Sequence, residues 1–168
     1  MKRPRYIAVM GLMLALASAL QFLESMIPIP LPLGVKPGIS SIVVMVVLVK
    51  FGFASAMTLA ALKSGFVFIT RGATAFCMSV SGGVLSVAVM GAFLAVSRRS
   101  KNGTGLLLMS VLGGISHNMG QLAAAAVFTG SVLTFSYLPV LVIAGIVSGI
   151  FTGTVFKFIL PYLIKNGE

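Results

Sequence analysis

The sequence predicts an all-α membrane protein, a bundle of six transmembrane helices with both termini in the cytoplasm. Of its 168 residues, 58% are hydrophobic, and the mean hydropathy is +1.13. Only two residues are acidic, Glu24 and Glu168, whereas a soluble domain carries mixed charge over its surface. Because a bilayer core needs about 20 residues for each spanning helix, the chain has room for about six. We expect one integral membrane domain, residues 1–168.

Each boundary between apolar segments has a local cause. Prolines and glycines at 28–38 end the first segment. The second is short and β-branched, so it predicts either a spanning helix completed by the residues after it or a partly re-entrant one. Arg71-Gly72 makes the next turn, hydrophilic residues 98–103 separate the fourth segment from the fifth, and residues 129–137 precede the sixth. The predicted spans are residues 6–27, 38–53, 54–70, 75–97, 105–128 and 138–160.

Basic residues at the ends of the apolar segments predict the orientation. With the N-terminus in the cytoplasm, nine basic residues face inward, and Lys36 and Arg71 face outward, as the positive-inside rule requires. The inward-facing ones are Lys2, Arg3, Arg5, Lys50, Arg98, Arg99, Lys101, Lys157 and Lys165. This distribution indicates a multi-pass membrane protein and no nucleic-acid partner, despite the net charge of +10. A signal peptide cleaved at Ala17-Ser18-Ala19 is the alternative, but five remaining spans fit the charges less well.

A stripe of small residues follows one face of the first span. Gly11, Ala15 and Ala19 are four residues apart, so they share a helical face. Small residues let membrane helices approach closely. The stripe predicts either packing within the bundle or docking on another membrane protein, and spacing alone favours packing.

Polar residues cluster near the middle of the fifth span. His117 and Gln121 are one turn apart, with Ser116 and Asn118 beside them. Polar side chains at this depth are costly and usually face the protein interior or a wet cavity. Two interpretations have similar weight: hydrogen bonds that fix the bundle, and a ligand site.

Lys63 lies deep in the third span, where the sequence supplies no Asp to pair with it. It could pair with Glu24, extend its ammonium group to the interface, or bind an anion from outside. Together with Arg71 and Lys36, it could form an electropositive outer cavity for a negatively charged ligand. Taken singly, Arg71 and Lys36 are more simply explained as solvated loop charges.

The missing residue types argue against catalysis. A prenyl or phosphoryl transferase that uses Mg²⁺ needs clustered carboxylates, and the sequence has no phosphate-binding loop. One His and one Cys, Cys77, cannot form a usual zinc site. We therefore expect no enzyme activity, metal or cofactor, which leaves binding, transport or assembly.

Three segments carry a resemblance to a known family: residues 33–40 (LGVKPGIS), 79–90 (SVSGGVLSVAVM) and 117–121 (HNMGQ). Over nearly its whole length the chain resembles the Gx transporter family, also labelled heptaprenyl diphosphate synthase component I. That family is similar to the substrate-binding S components of energy-coupling factor (ECF) vitamin transporters. One departure is Ser41, where the family pattern would have Asn. The resemblance implies a bacterial protein of the plasma membrane.

The resemblance also implies an S-component-like fold and a division of roles. Ligand would be captured from outside beneath a lid at residues 28–38. The small-residue stripe would dock on a transmembrane coupling subunit driven by two cytoplasmic ATPases. We thus expect uptake of a small anionic organic molecule, or a vitamin or isoprenoid-type precursor. The alternative is a non-catalytic membrane component associated with heptaprenyl diphosphate or quinone synthesis, or with a membrane redox complex. The expected binding residues are Lys63, His117, Asn118, Gln121, Arg71 and Lys36.

Overall fold

The described part of the chain forms a bundle of six α-helices. The structure, a computed structural model, describes residues 3–26, 38–97 and 105–165, with side chains as far as residue 162. Lys36 and most of the predicted lid lie outside these residues. A 3₁₀ helix, Val132–Tyr137, leads directly into the last α-helix. The α-helices are α1 Arg3–Met26, α2 Ile39–Phe51, α3 Phe53–Arg71, α4 Ala73–Ser97, α5 Gly105–Thr129 and α6 Leu138–Lys165.

The predicted six-helix count is confirmed. Among the described residues, four helical segments are long and apolar enough to cross a membrane: Arg3–Met26, Phe53–Arg71, Ala73–Ser97 and Val132–Tyr162. Of the other two, α2 has 13 residues, whereas α5 has 25 and carries the polar cluster. The apolar helices support a multi-pass membrane protein. Six crossings and cytoplasmic termini stay predictions.

The short helix α2 forms the centre of the core. Every residue from Ile42 to Leu48 is at most 7% exposed. At 1.5 Å per residue, 13 residues span about 20 Å, less than the bilayer core. The residues after α2 do not lengthen it, because the chain turns at Gly52 with φ +89° and α3 begins at Phe53. A helix segment enclosed by neighbours on every side needs no polar face, which explains the uninterrupted apolar run from Ile42 to Val49.

Glycines bring α4, α5 and α6 into backbone contact. A Cβ atom at Gly149 of α6 would lie 2.5 Å from Cα of Val111 on α5. A Cβ at Gly120 of α5 would lie 2.5 Å from the carbonyl oxygen of Ser81 on α4. Any larger residue at these positions would push the helices apart. The three helices therefore form a tightly packed wall, against which α1, α2 and α3 enclose a cavity.

Candidate functional site

A cavity of about 120 Å³ lies near one end of the bundle. It is bordered by the last turns of α1 and α3, the first turns of α2 and α4, and the polar cluster of α5. These helix ends lie on the side that the charge pattern predicts to face outward. The helix order therefore brings residues from five distant sequence segments to one site.

The first side of the cavity is a chain of buried polar groups that joins α1, α2 and α3. Glu24 accepts hydrogen bonds from the backbone amides of Ile39 and Ser40, which are the first residues of α2. A carboxylate in this position satisfies unpaired amides and complements the helix dipole. The Ser40 hydroxyl lies 3.4 Å from Glu24 Oε2, and Lys63 Nζ donates to that hydroxyl over 3.3 Å. Ser40 thus bridges the two charged residues.

Lys63 is buried, with only 4% of its surface exposed, and Glu24 is 3% exposed. The lysine therefore does not extend to the membrane interface, which was one of the sequence-based alternatives. Lys63 and Glu24 interact through the Ser40 hydroxyl. The alternative that they pair therefore holds in this bridged form. An ammonium group has three hydrogens, and the hydrogen bond to Ser40 takes one. Lys63 retains donor capacity where it borders the cavity.

The opposite side of the cavity is the polar cluster of α5. Gln121 Nε2 lies 3.0 Å from His117 Nε2. Because an amide nitrogen can only donate, the histidine nitrogen accepts, and the neutral imidazole carries its hydrogen on Nδ1. Asn118 Nδ2 donates to the carbonyl of Leu141 on α6 over 2.8 Å. Asn118 thus joins α5 to α6, whereas the bond between His117 and Gln121 lies within α5. All three side chains border the cavity, and their role as a ligand site stays a prediction.

Arg71 completes the charged part of the site. It is exposed, lies in the last turn of α3 and borders the same cavity. Among the residues that the structure describes, the charged members of this lining are Glu24, Lys63 and Arg71, which leave one excess positive charge. Five of the six predicted binding residues therefore meet at one cavity, and Lys36 is outside the described residues.

Sequence reasoning missed four polar residues of this lining: Gln21, Ser40, Ser41 and Ser79. Among the described residues, the side-chain oxygen of Gln21 is buried without a hydrogen-bond partner. The Ser79 hydroxyl bonds to Ser64 over 2.9 Å and joins α4 to α3. The sequence could have indicated Gln21 as a lining residue, because Gln21 lies one turn before Glu24 on α1 and therefore shares its face.

The small-residue stripe borders an open groove on the outside of the bundle. Gly11, Ala15 and Ala19 are all exposed, and they face the groove together with Leu62 and Phe66 of α3. The groove has a volume of about 440 Å³. A Cβ added at Gly11 would meet no atom within 4 Å. The described residues therefore do not use the stripe for packing within the bundle, the alternative that spacing alone favoured.

Within residues 3–26, 38–97 and 105–165, no three His, Cys, Asp or Glu side chains come close enough to hold a metal ion.

Comparisons with known proteins assign the chain to one family. No curated protein and no solved structure matches the chain. A family model described as heptaprenyl diphosphate synthase component I matches residues 13–159, which is most of the sequence. The chain therefore belongs to the heptaprenyl diphosphate synthase component I family.

Proposed function

We propose that the protein is a substrate-binding membrane subunit for uptake of a small anionic organic molecule. Like the S components of ECF transporters, it would work with a separate module of a coupling subunit and two ATPases. The observation that carries this proposal is the cavity at the predicted outer end of the bundle. The described part of its lining has one excess positive charge and a buried lysine with unused hydrogens.

The charges favour an organic anion over a neutral or cationic ligand. Glu24 is occupied by the amides of α2, so its carboxylate is poorly placed to bind a second cation. Lys63 and Arg71 lie eight residues apart on α3, about two turns along one face. An anion at Lys63 would gain a charged donor in a buried environment of low dielectric constant, where such hydrogen bonds are strong. Arg71 would attract the ligand at the entrance, and Lys63 would hold it inside.

The groove along the small-residue stripe supports the proposed docking of a coupling subunit. An exposed stripe of small residues lets a second helix approach the backbone of α1 closely. Lipid gives no hydrophobic drive for such an association, so shape and close contact must supply it. The coupling subunit would place a helix along Gly11, Ala15 and Ala19.

The family description favours a second candidate function. It names a component of a prenyl diphosphate synthase, so the groove could instead hold a synthase or redox subunit. In that case this chain would be a non-catalytic membrane component. Its predicted lack of enzyme activity is common to both candidates and does not separate them.

The experiment is purification from the native membrane in mild detergent, with identification of co-purifying proteins by mass spectrometry. The variant is Ala15→Trp, which fills the groove. Its matched control is Leu16→Trp, because Leu16 is 46% exposed on the same helix and does not border the groove.

Transport predicts that a coupling subunit and ATPases accompany the wild type and the control but not Ala15→Trp. A prenyl synthase or redox subunit in their place would favour the second candidate. Association that survives Ala15→Trp would refute docking at this groove.

A further inference from the structure

A second, smaller cavity lies deeper in the bundle and adjoins the first. Its volume is about 30 Å³, enough for about two water-sized atoms. His117, Asn118 and Ser41 border both cavities. We call the smaller one the hydroxyl chamber, because five side-chain hydroxyls border it. Ser41 of α2 lies where the two cavities adjoin, and the other four border the smaller cavity alone: Ser86, Ser110, Ser148 and Thr152.

Three of these hydroxyls donate their hydrogen to backbone carbonyls. Ser86 Oγ donates to Gly113 over 2.9 Å, and Ser148 Oγ donates to Gly145 over 3.2 Å. Thr152 Oγ1 donates to the Ser148 carbonyl over 2.9 Å. A hydroxyl has one hydrogen and two lone pairs. These groups therefore have no hydrogen left to offer a guest in the chamber.

The fourth hydroxyl, Ser110, is committed in the same way. Its oxygen lies 2.8 Å from Thr152 Oγ1 and 3.5 Å from Met45 Sδ. Where Thr152 donates to its carbonyl, Ser110 donates to Thr152, and where Thr152 donates to Ser110, Ser110 donates to Met45. The hydrogen of Ser110 is used in both arrangements. These four hydroxyls thus offer only lone pairs, and their end of the chamber is suited to a group that donates hydrogen bonds.

The remaining lining limits which donor fits. No charged residue occurs among the described residues that border the chamber, and a buried ammonium group without a carboxylate would be strongly unfavourable. A purely apolar group would leave the hydroxyl lone pairs without partners. A small neutral donor, such as a hydroxyl or an N–H group, satisfies both conditions.

We infer that the hydroxyl chamber binds a neutral hydrogen-bond-donating group of the transported anion. This inference rests on the proposed function and narrows its ligand to an organic anion with a hydroxyl or N–H group at some distance from its charge. The negative charge would lie near Lys63, and the donor would pass His117 and Asn118 to reach Ser110 and Thr152. A ligand with a hydrocarbon tail, such as an isoprenoid-type precursor, does not match this polar chamber.

The test uses matched pairs of short straight-chain carboxylates of increasing length. One member of each pair ends in a hydroxyl, and the other ends in a methyl group in its place. Binding to the purified protein in detergent is measured by isothermal titration calorimetry. The variant Thr152→Val replaces an acceptor of the chamber by a methyl group. Thr154→Val is the control, because Thr154 is exposed on the same helix.

We expect the best hydroxyl-ended carboxylate to bind wild type at least about tenfold more tightly than its methyl-ended partner, because a buried acceptor is otherwise left unpaired. Thr152→Val should remove this preference, and Thr154→Val should retain it. Equal binding of both members by wild type, or a preference that persists in Thr152→Val, would overturn the inference and leave the proposed function standing. Binding of neither member would overturn both.

Discussion

Replacing either Glu24 or Lys63 by a neutral residue is expected to destabilise the protein more than replacing both. The two side chains are 3% and 4% exposed, and the Ser40 hydroxyl connects them. Each single replacement, Glu24→Gln or Lys63→Met, leaves one buried charge without its compensating partner. The double variant leaves neither charge and retains a side chain of similar size at both positions.

The expected magnitude follows from this burial. Removing one partner of a buried ion pair typically costs about 3–5 kcal/mol. Lys63 borders a cavity and reaches Glu24 through a serine, so we expect the lower end, about 3 kcal/mol for each single variant. The double variant should lose about 2 kcal/mol, which makes the coupling energy about 4 kcal/mol. At about 2–4 °C per kcal/mol, each single variant should unfold about 6–12 °C below wild type.

The assay is thermal unfolding of the four proteins in the same detergent. Lys157→Met is the control, because it makes the same substitution at an exposed lysine of α6, and its unfolding temperature should match that of wild type. Additive effects of the two single replacements, or a Lys63→Met variant as stable as wild type, would refute the proposed link through Ser40.

Three further predictions concern packing, the α5–α6 contact and topology. Gly149→Ala should cost about 1–3 kcal/mol because it overpacks the α5–α6 contact. At Gly65 an added Cβ meets no atom within 4 Å, so Gly65→Ala should preserve or raise the unfolding temperature. The same change of unfolding temperature in both variants would contradict the packing described. Asn118→Ala should cost about 1 kcal/mol by removing a buried hydrogen bond between α5 and α6, and unfolding at the wild-type temperature would contradict it. In a cysteine-free background, Arg71→Cys in intact cells should react with an impermeant maleimide and Lys50→Cys should not; the reverse would contradict the predicted orientation.

The sequence predicted the helices well because their ends carry strong local signals. Prolines, glycines and basic residues separate the apolar segments, and the observed helices begin and end within a few residues of the predicted spans, except that α6 continues to Lys165. The sequence could not predict which helices are buried inside the bundle and which lie at its surface. Residues 42–49 of the second segment are apolar on every face, so their pattern cannot distinguish a helix surrounded by lipid from α2, which is surrounded by protein.

The candidate site was predictable where a residue is out of place in an apolar helix. Lys63, His117, Asn118 and Gln121 stood out for this reason, and all four border one cavity. Gln21 was missed because it lies near a helix end, where a polar residue is ordinary. The hydrogen-bond partners could not be predicted either, because the bond from Asn118 to Leu141 depends on how α5 crosses α6. The ligand roles of these residues stay predictions.

The most direct test of the central claim is to identify the small molecules that co-purify with the protein. Wild type and the double variant Glu24→Gln/Lys63→Met would be denatured and the released molecules compared by mass spectrometry. The double variant retains the excess positive charge of the cavity, through Arg71, but lacks the lysine donor. We predict an organic anion bound to wild type and absent from the folded double variant. A wild type without any bound anion, or the same anion in equal amount in both proteins, would contradict the claim that this cavity binds an anion through Lys63.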